Sequence, residues 1–489
     1  MRLPRWLKKT LAGFGILVAV LVLIVFIARA SFRRMGTKEL ERVVARLDAE
    51  DPGWRLDDVL AARAKAAPPP ESNPAVVAQD VRKKFDPAWE AFRSTRDWGG
   101  GPVHNEYPGF WALAWYLQAG TATAEAREAA RAGFLRPDIA AQPGGYVPLT
   151  VPDNPYSTLL PHAQQTREVF ELLDIDARLA ALEGRPDRGI TAARAGLVAT
   201  RALGDEPFLI SQLVRMAGAN VASQSGMQVL AWGEPKAGLA EFQAALRAEA
   251  EFPYIEVGLR GERAALDRVF DGLESGKIGA RDLTGMMGSR DNPVVIGIGF
   301  ELYKGFLPGD RAMSLKLFSE MMDAAKKPHH ERKRAFADLK YPFADAAGFR
   351  YIITKLCLPA SQKVAEVSVR TRAQLLTASA AVACERFRQA RGRWPESLDE
   401  IPADILPPLP PDPYTGRPLQ FRRMPDGVLV FALADDLQQN RNFDQRPDPD
   451  PLAGIGRGWK LWDPELRGVP GTAAEPPPAV PLPDVDENP

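Results

Sequence analysis

Residues 11–28, LAGFGILVAVLVLIVFIA, restrict this chain more than any other stretch. They carry no charge, and 13 of the 18 are Leu, Ile, Val or Phe. As a helix rising about 1.5 Å per residue they span roughly 27 Å, close to the thickness of a bilayer's hydrocarbon core. At about −0.3 to −0.6 kcal/mol for each large apolar residue, insertion is favoured by roughly 4–8 kcal/mol. A buried soluble helix would show a polar face, and this run has none. The expectation is a single membrane-spanning helix. Ala28-Arg29-Ala30 before Ser31 has the small-x-small form of a signal-cleavage site, but the run is longer than the usual apolar core of a signal and Arg29 interrupts the site. A retained anchor is therefore expected. Arg2, Arg5, Lys8 and Lys9 precede it, and Arg29, Arg33, Arg34 and Lys38 follow it, so charge alone does not orient it. A short basic tail is readily kept inside while a long domain crosses, which predicts a single-pass protein of the cell inner membrane with its body outside the cytoplasm.

The body is not a polyanion binder by composition. Lys and Arg number 62 and Asp and Glu 62, which argues against nucleic acid as a partner. Hydrophobic residues make up 45%, enough for a packed core. Cys357 and Cys384, the only cysteines, sit among apolar neighbours, the setting of buried free thiols; in an oxidising compartment they are also able to pair.

The hydrophobic pattern divides the chain into a basic tail (1–10), the span (11–28), juxtamembrane helices with a proline-rich linker (29–75), a helical array (76–340), a connecting helical segment (341–371), a small α+β module (372–468) and a tail too poor in apolar residues to fold (469–489). In the juxtamembrane part, Thr37 is expected to open a short helix with Leu40, Val43, Val44 and Leu47 on one stripe. AAPPPESNP, residues 66–74, reads as a stiff linker. Phe110, Trp111, Leu113, Trp115 and Tyr116 make an aromatic helix, a core element rather than a carbohydrate platform at this spacing. Between residues 165 and 275 the stripes Val169-Leu172-Leu173, Ile190-Ala193-Leu197, Leu239-Phe242-Leu246 and Leu259-Leu266-Phe270 predict antiparallel helices joined by short turns. Pro235 is expected to open one of them. The stretch 208–232 is apolar on several faces, with Ala217, Gly218, Ala219 and Ala222 allowing close packing. LAALEGRPDRGITAARAGL resembles a tetratricopeptide-type hairpin, and without a strict repeat the expectation is an irregular TPR-like array.

The chemistry-bearing residues are few. The four histidines are His104, His162, His329 and His330. His104 and Glu106 share a Gly/Pro loop and offer an acid and a base. His329 and His330 are adjacent at a helix start after Pro328, so they point to different faces and lack the one-turn spacing of a zinc helix. Glu256, Glu262 and Arg263 fall on one helix, as an ion pair rather than a carboxylate dyad. No nucleophile elbow, phosphate loop or dinucleotide fingerprint occurs.

In the end module, Ala373, Leu376, Ala380, Ala383 and Phe387 form the stripe of a long helix ending at Gly392. A proline-rich crossing, residues 407–418, leads to an alternating strand at 419–422, a turn at 424–427 and a returning strand at 428–433. Phe421, Leu429 and Phe431 are expected to face the helix. ACERFRQARGRWPESLDEI, PPDPYTGRPLQFRR and DGVLVFALADD together resemble the globular domain of the major pseudopilins of type II secretion, over residues 372–444. That resemblance implies a helix against a small antiparallel sheet and a late calcium-binding loop, whose oxygen donors here are Asp435, Asp436, Asn440 and Asp444. Two features depart from that family: the apolar helix lies far upstream, and it contains no glutamate. The whole layout is similar to that of membrane-anchored bacterial proteins of the same plan, a likeness that carries no activity.

The sequence thus predicts a mainly α protein of the bacterial envelope that acts as an interaction or assembly scaffold. Its helical array would bind a protein partner, with no cofactor beyond the calcium the resemblance implies. The alternative is an envelope hydrolase with a site around His104 or His329.

Overall fold

The apolar run and the first juxtamembrane helix are one rod. Helix α1, Arg5–Glu50, is unbroken over 46 residues. Its segment Gly13–Glu50 is long and apolar enough to cross a membrane, and Phe14, Ile16 and Phe26 are 66, 67 and 68% exposed. Thr37 does not start a new helix; its Oγ1 donates to the Arg33 carbonyl at 2.9 Å inside the rod. Between residues 29 and 36 Gly36 is the weakest helix former, and it serves a contact: a Cβ there would stand 2.5 Å from the Gly309 nitrogen. The computed structural model describes residues 5–85, 89, 110–279, 282, 299–301, 303–340, 350–433 and 457–468.

Beyond the apolar run, Leu40, Val43, Val44 and Leu47 pack with Trp54 and Leu315. Trp54 is fully buried, and its indole N–H donates to Asp48 at 2.9 Å. Helix α2, Leu56–Lys65, follows and is tied to the body through Arg63 and Asp205 at 2.9 Å. The proline-rich residues 66–74 are docked rather than spanning a gap. Asn73 caps α3, Pro74–Arg82, by accepting from the Ala75 amide at 3.0 Å, and its side chain also bonds both backbone groups of Tyr146.

Helices α4, Phe110–Ala122, and α5, Ala124–Phe134, lead through a helical turn at Pro137–Ala140 to the stack. Of the aromatic residues of α4, Tyr116 is core, packing with Ala119, Trp89, Ile175 and Leu179, and the partly buried Trp115 lies against them, while the side chains of Phe110 and Trp111 lie outside those described. The stack comprises α6, Pro161–Leu182, α7, Pro186–Thr200, and α8, Leu209–Trp232, each packed on the other two. Three of the helices named so far, α3, α6 and α7, begin at a proline, where the missing N–H costs nothing. On α8 the small residues divide. Gly218, Ala219 and Ala222 are buried, whereas Ala217 faces outward. Helix α9, Leu239–Ala250, starts four residues later than Pro235 suggests. The intervening turn is held by Asp187, whose Oδ1 accepts from the Lys236 and Ala237 amides at 2.5 and 3.0 Å.

Helices α10, Tyr254–Ser275, α11, Leu307–Ala325, and α12, His329–Ala337, form a second cluster with the start of α13, Ile352–Arg391. The first turn of α13 is capped from a distance. Asp310 on α11 accepts from the Ile353 and Thr354 amides at 3.0 and 3.3 Å, and from the Thr354 and Tyr303 hydroxyls. Helix α13 runs uninterrupted through residue 372 into the end module. It packs on α8 and α9 on one side and on the sheet on the other. Residues 377–385 are at 0% exposure, so every face of that stretch is covered. One apolar cluster extends from Leu230 through Leu376 and Phe387 to Val430 and Trp459.

The sheet is antiparallel, with β1, Gln420–Met424, β2, Gly427–Ala432, and β3, Arg457–Trp462, in that order. The first two strands turn over Pro425-Asp426, as expected, with Met424 opposite Gly427. The facing residues differ from expectation. Phe421 pairs with Val430, so Phe421 shares a face with Val428, Val430 and Ala432, which meet α13. Leu429 and Phe431 lie on the opposite face with Met424 and Leu433. Side chains alternate at every residue, so Phe421 and its neighbours' neighbours cannot share one face with Leu429 and Phe431. The third strand was not anticipated, although RGWKLW alternates; Trp459 and Leu461 are its buried apolar residues.

Candidate binding cleft

A cleft lies where α3, an extended segment and the start of α6 meet. Its volume is about 830 Å³. On α3, Val77, Ala78 and Val81 are consumed by packing against Val169 and Leu172, and this turns Gln79, Arg82 and Lys83 toward the cleft. Opposite them runs a segment without helix or strand, residues 144–152, followed by a short turn at Pro155–Ser157. Pro148 and Pro152 keep it extended, and no backbone–backbone hydrogen bond to described residues is formed by 147–153. Leu159, on the rim, is 86% exposed. Tyr156 donates to Glu262, a carboxyl that burial pushes up and that also accepts the Leu209 amide at 3.1 Å.

At the inner end stands His162, in the first turn of α6. Its Nε2 is 2.6 Å from Glu206 Oε2, and both side chains are buried. The other oxygen of Glu206 accepts the Ser211 hydroxyl. Thus the carboxylate lies between the imidazole and the hydroxyl. A nucleophilic relay needs the imidazole in the middle, taking the hydroxyl proton, so this order orients His162 rather than activating Ser211. Arg82 is likewise held, by Glu168 at 2.5 Å. The cleft presents cations, amides, hydroxyls and one imidazole on braced supports, with proline and leucine walls. That is the composition of a recognition surface for a polar, extended ligand.

His162 carried no assignment from sequence, since its partner lies 44 residues away and no motif links them. The remaining histidines do not converge on it. His329 is partly buried and pushed down to about 3 by burial and by the nearby Arg372 and Arg332, which keeps its ring neutral. His330 faces the other way, against Gly416 of the proline-rich crossing. His104 and Glu106 lie outside the described residues, as do Asp435, Asp436, Asn440 and Asp444. Among the described residues no group of His, Cys, Asp and Glu is arranged to hold a metal ion. Cys384 is a free, buried thiol that burial pushes up, and the side chain of Cys357 lies outside those described.

The three charged residues expected to pair on α10 instead take separate distant partners: Glu256 pairs with Arg332 at 2.7 Å, Arg263 with Asp51, and Glu262 accepts from Leu209. Their spacing along the helix turned each toward a different neighbouring element. Other buried carboxylates are also braced by arginines. Asp176 accepts from Arg127 and Arg188 at 2.8 Å and Arg131 at 2.5 Å, and Glu249 from Arg215 at 2.7 Å. These pairs tie helices together.

Comparison of the chain with protein-family models, with curated proteins and with solved structures finds no match.

Proposed function

We propose that this protein is a membrane-anchored docking scaffold of the bacterial cell envelope. In this reading it spans the inner membrane once and holds its body outside the cytoplasm, where the irregular, TPR-like array binds a protein partner. One observation carries the proposal: a single helix joins the apolar run to the body and is clamped there by the contact of Gly36 with Gly309. A rod of that kind holds the body at a set height and angle above the bilayer, as a docking platform requires. The cleft beside His162 supplies the receptor, and residues 147–153, whose backbone makes no backbone–backbone hydrogen bond to described residues, offer donors and acceptors to an extended segment of the partner. The helix-on-sheet packing of α13 against β2 and β3 supports the pseudopilin-like reading of residues 372–444, here as a fused module rather than a filament subunit.

A photocrosslinking residue at Leu159 tests the docking reading in living cells. It should yield a discrete adduct that is lost on His162→Ala, while the same probe at the exposed Ala217 yields none. Equal adducts from both positions would refute a role for the cleft. Alkaline phosphatase fused after Pro489 should be active, and a reporter that works only in the cytoplasm would reverse the topology.

A further inference from the structure

We infer that the cleft between α1 and α11, immediately above the span, receives the headgroup of an anionic phospholipid from the bilayer that holds α1. The inference goes beyond the docking function and rests on the same membrane reading of residues 11–28. The cleft has a volume of about 400 Å³ and is lined by Phe32, Met35, Lys38, Met313, Lys316 and Arg350, among others. Met35, Lys38, Glu39 and Arg42 recur at spacings of three and four and form one edge, while Ala312, Met313 and Lys316 form the facing wall.

Position is the first argument. Phe32 lies four residues past the apolar run and Lys38 ten, or about 6 and 15 Å along the helix. The headgroup layer extends roughly 5–8 Å beyond the hydrocarbon on each side. Side chains on a helix lean toward its N-terminus, which here is toward the bilayer, so the long Lys38 side chain reaches back to headgroup level. Just before α11 the same level is set by Gly305, where a Cβ would meet Arg29 Cγ at 2.5 Å, and by Phe306, whose ring is 5.1 Å from that of Phe32.

Charge is the second. From Arg29 to Lys38 the rod carries Arg29, Arg33, Arg34 and Lys38 and no carboxylate. The carboxylate lining the cleft, Glu39, is paired with Arg42 at 2.5 Å, and Lys316 stands 3.9 Å from Glu320 outside it. Arg34 and Lys38 have no ion-pair partner among the described residues. Arg350 is stacked 4.3 Å over the Phe32 ring, at the membrane-facing mouth. Shape is the third. Phe32, Met35 and Met313 give an apolar floor beneath the cations, which suits the glycerol and upper acyl carbons under a phosphate. The backbone contact at Gly36 and Gly309 keeps the two walls from closing or spreading.

The test uses the full-length chain, reconstituted in bilayers of equal phosphatidylcholine and phosphatidylglycerol and released for native mass spectrometry. Retained phosphatidylglycerol should exceed phosphatidylcholine by about tenfold or more, the scale expected for two cations near a membrane surface. The double variant Lys38→Gln/Lys316→Gln should bring that ratio near one at an unchanged melting temperature, since both side chains are exposed. Lys316→Gln alone, at a site away from the rod, should give an intermediate ratio. The proposal is overturned if the double variant keeps the full preference, or if Arg33→Gln/Arg34→Gln removes it while the cleft variant does not. Displacement of the lipid by excess inorganic phosphate also overturns it, in favour of a soluble-anion site. A chain stripped from membranes by alkaline carbonate would overturn the span and this inference together. A membrane-held chain without lipid preference would overturn the inference alone.

Discussion

The two longest helices of the protein reach opposite solutions to the same problem. Over residues 13–27, α1 is apolar on every face and exposed on every face described. Over residues 377–385, α13 is buried on every face, yet it is built from Thr, Ala, Ser, Val, Cys and Glu. Large branched side chains all round a helix maximise contact with a fluid of acyl chains, which needs no fitted surface. Small side chains all round let α8, α9, β2 and β3 approach from both sides, which is what a central helix in a protein requires. Hydrophobicity alone therefore does not rank burial in this chain. Side-chain size and the placement of Glu385 separate the exposed apolar helix from the helix enclosed by protein.

The largest test of this contrast is charge in the span. Val20→Lys with Leu23→Lys should cost about 5–7 kcal/mol of insertion and cancel most of the favourable sum for the run. Carbonate extraction should then release the chain, while the melting temperature of the body stays the same. Release failing to occur would mean that α1 is held by protein contacts rather than by lipid.

Next in size is Glu385, the one carboxylate in the buried stretch of α13. It pairs with Arg467 and Arg388, both at 2.7 Å, and so ties the segment after β3 to the helix. Glu385→Ala should cost about 3–5 kcal/mol, because Arg467 is left buried without its partner. Burial pushes this carboxyl up, but the two arginines outweigh it and hold it at about 2, against an ordinary 4.5. A lowered carboxyl contributes stability that is present above its ordinary value and is lost as pH falls toward 2. The stability gap between wild type and Glu385→Gln should therefore be widest above pH 4.5 and shrink between 4.5 and 2. A constant gap across that window would assign the effect to packing rather than to charge.

A smaller effect is expected where α13 begins. Asp310→Ala removes the remote cap and should cost about 1–3 kcal/mol, read as a lower melting temperature. Burial pushes the Asp310 carboxyl up to about 6 although four donors point at it. The charged form is therefore the strained one, and the contribution of this group weakens as pH rises through 6. Asp310→Ala should accordingly be less harmful at pH 8 than at pH 4. The smallest effect belongs to Ala217→Arg on α8, which should stay within about 0.5 kcal/mol because that face is open. A loss of several kcal/mol would show that Ala217 is covered as Gly218 is.

Much of this architecture was open to reading in the amino-acid sequence. The apolar run, the helical stripes from Val169 to Phe270 and the hairpin turn at Pro425-Asp426 all express local rules. A period of 3.6 or 2 or an uncharged stretch needs no knowledge of what lies across the core. Where the reading missed, the deciding partner was distant. Ala217 and Gly218 are adjacent small residues, and only the positions of Phe170 and Thr200 tell which one is enclosed. The division between Val430 and Leu429 was settled by the pairing of Phe421 with Val430 and by the cover of α13. The cleft and its braced imidazole depend on His162 meeting Glu206 and on Arg82 meeting Glu168, contacts that no spacing rule contains. Hydrogen bonding and burial of polar groups are resolved by the fold as a whole, because each buried charge must find its counterpart wherever packing happens to bring one. Periodicity along the chain determined which helices and strands form; the tertiary structure decided which of their faces meet, and so where a ligand has room to bind.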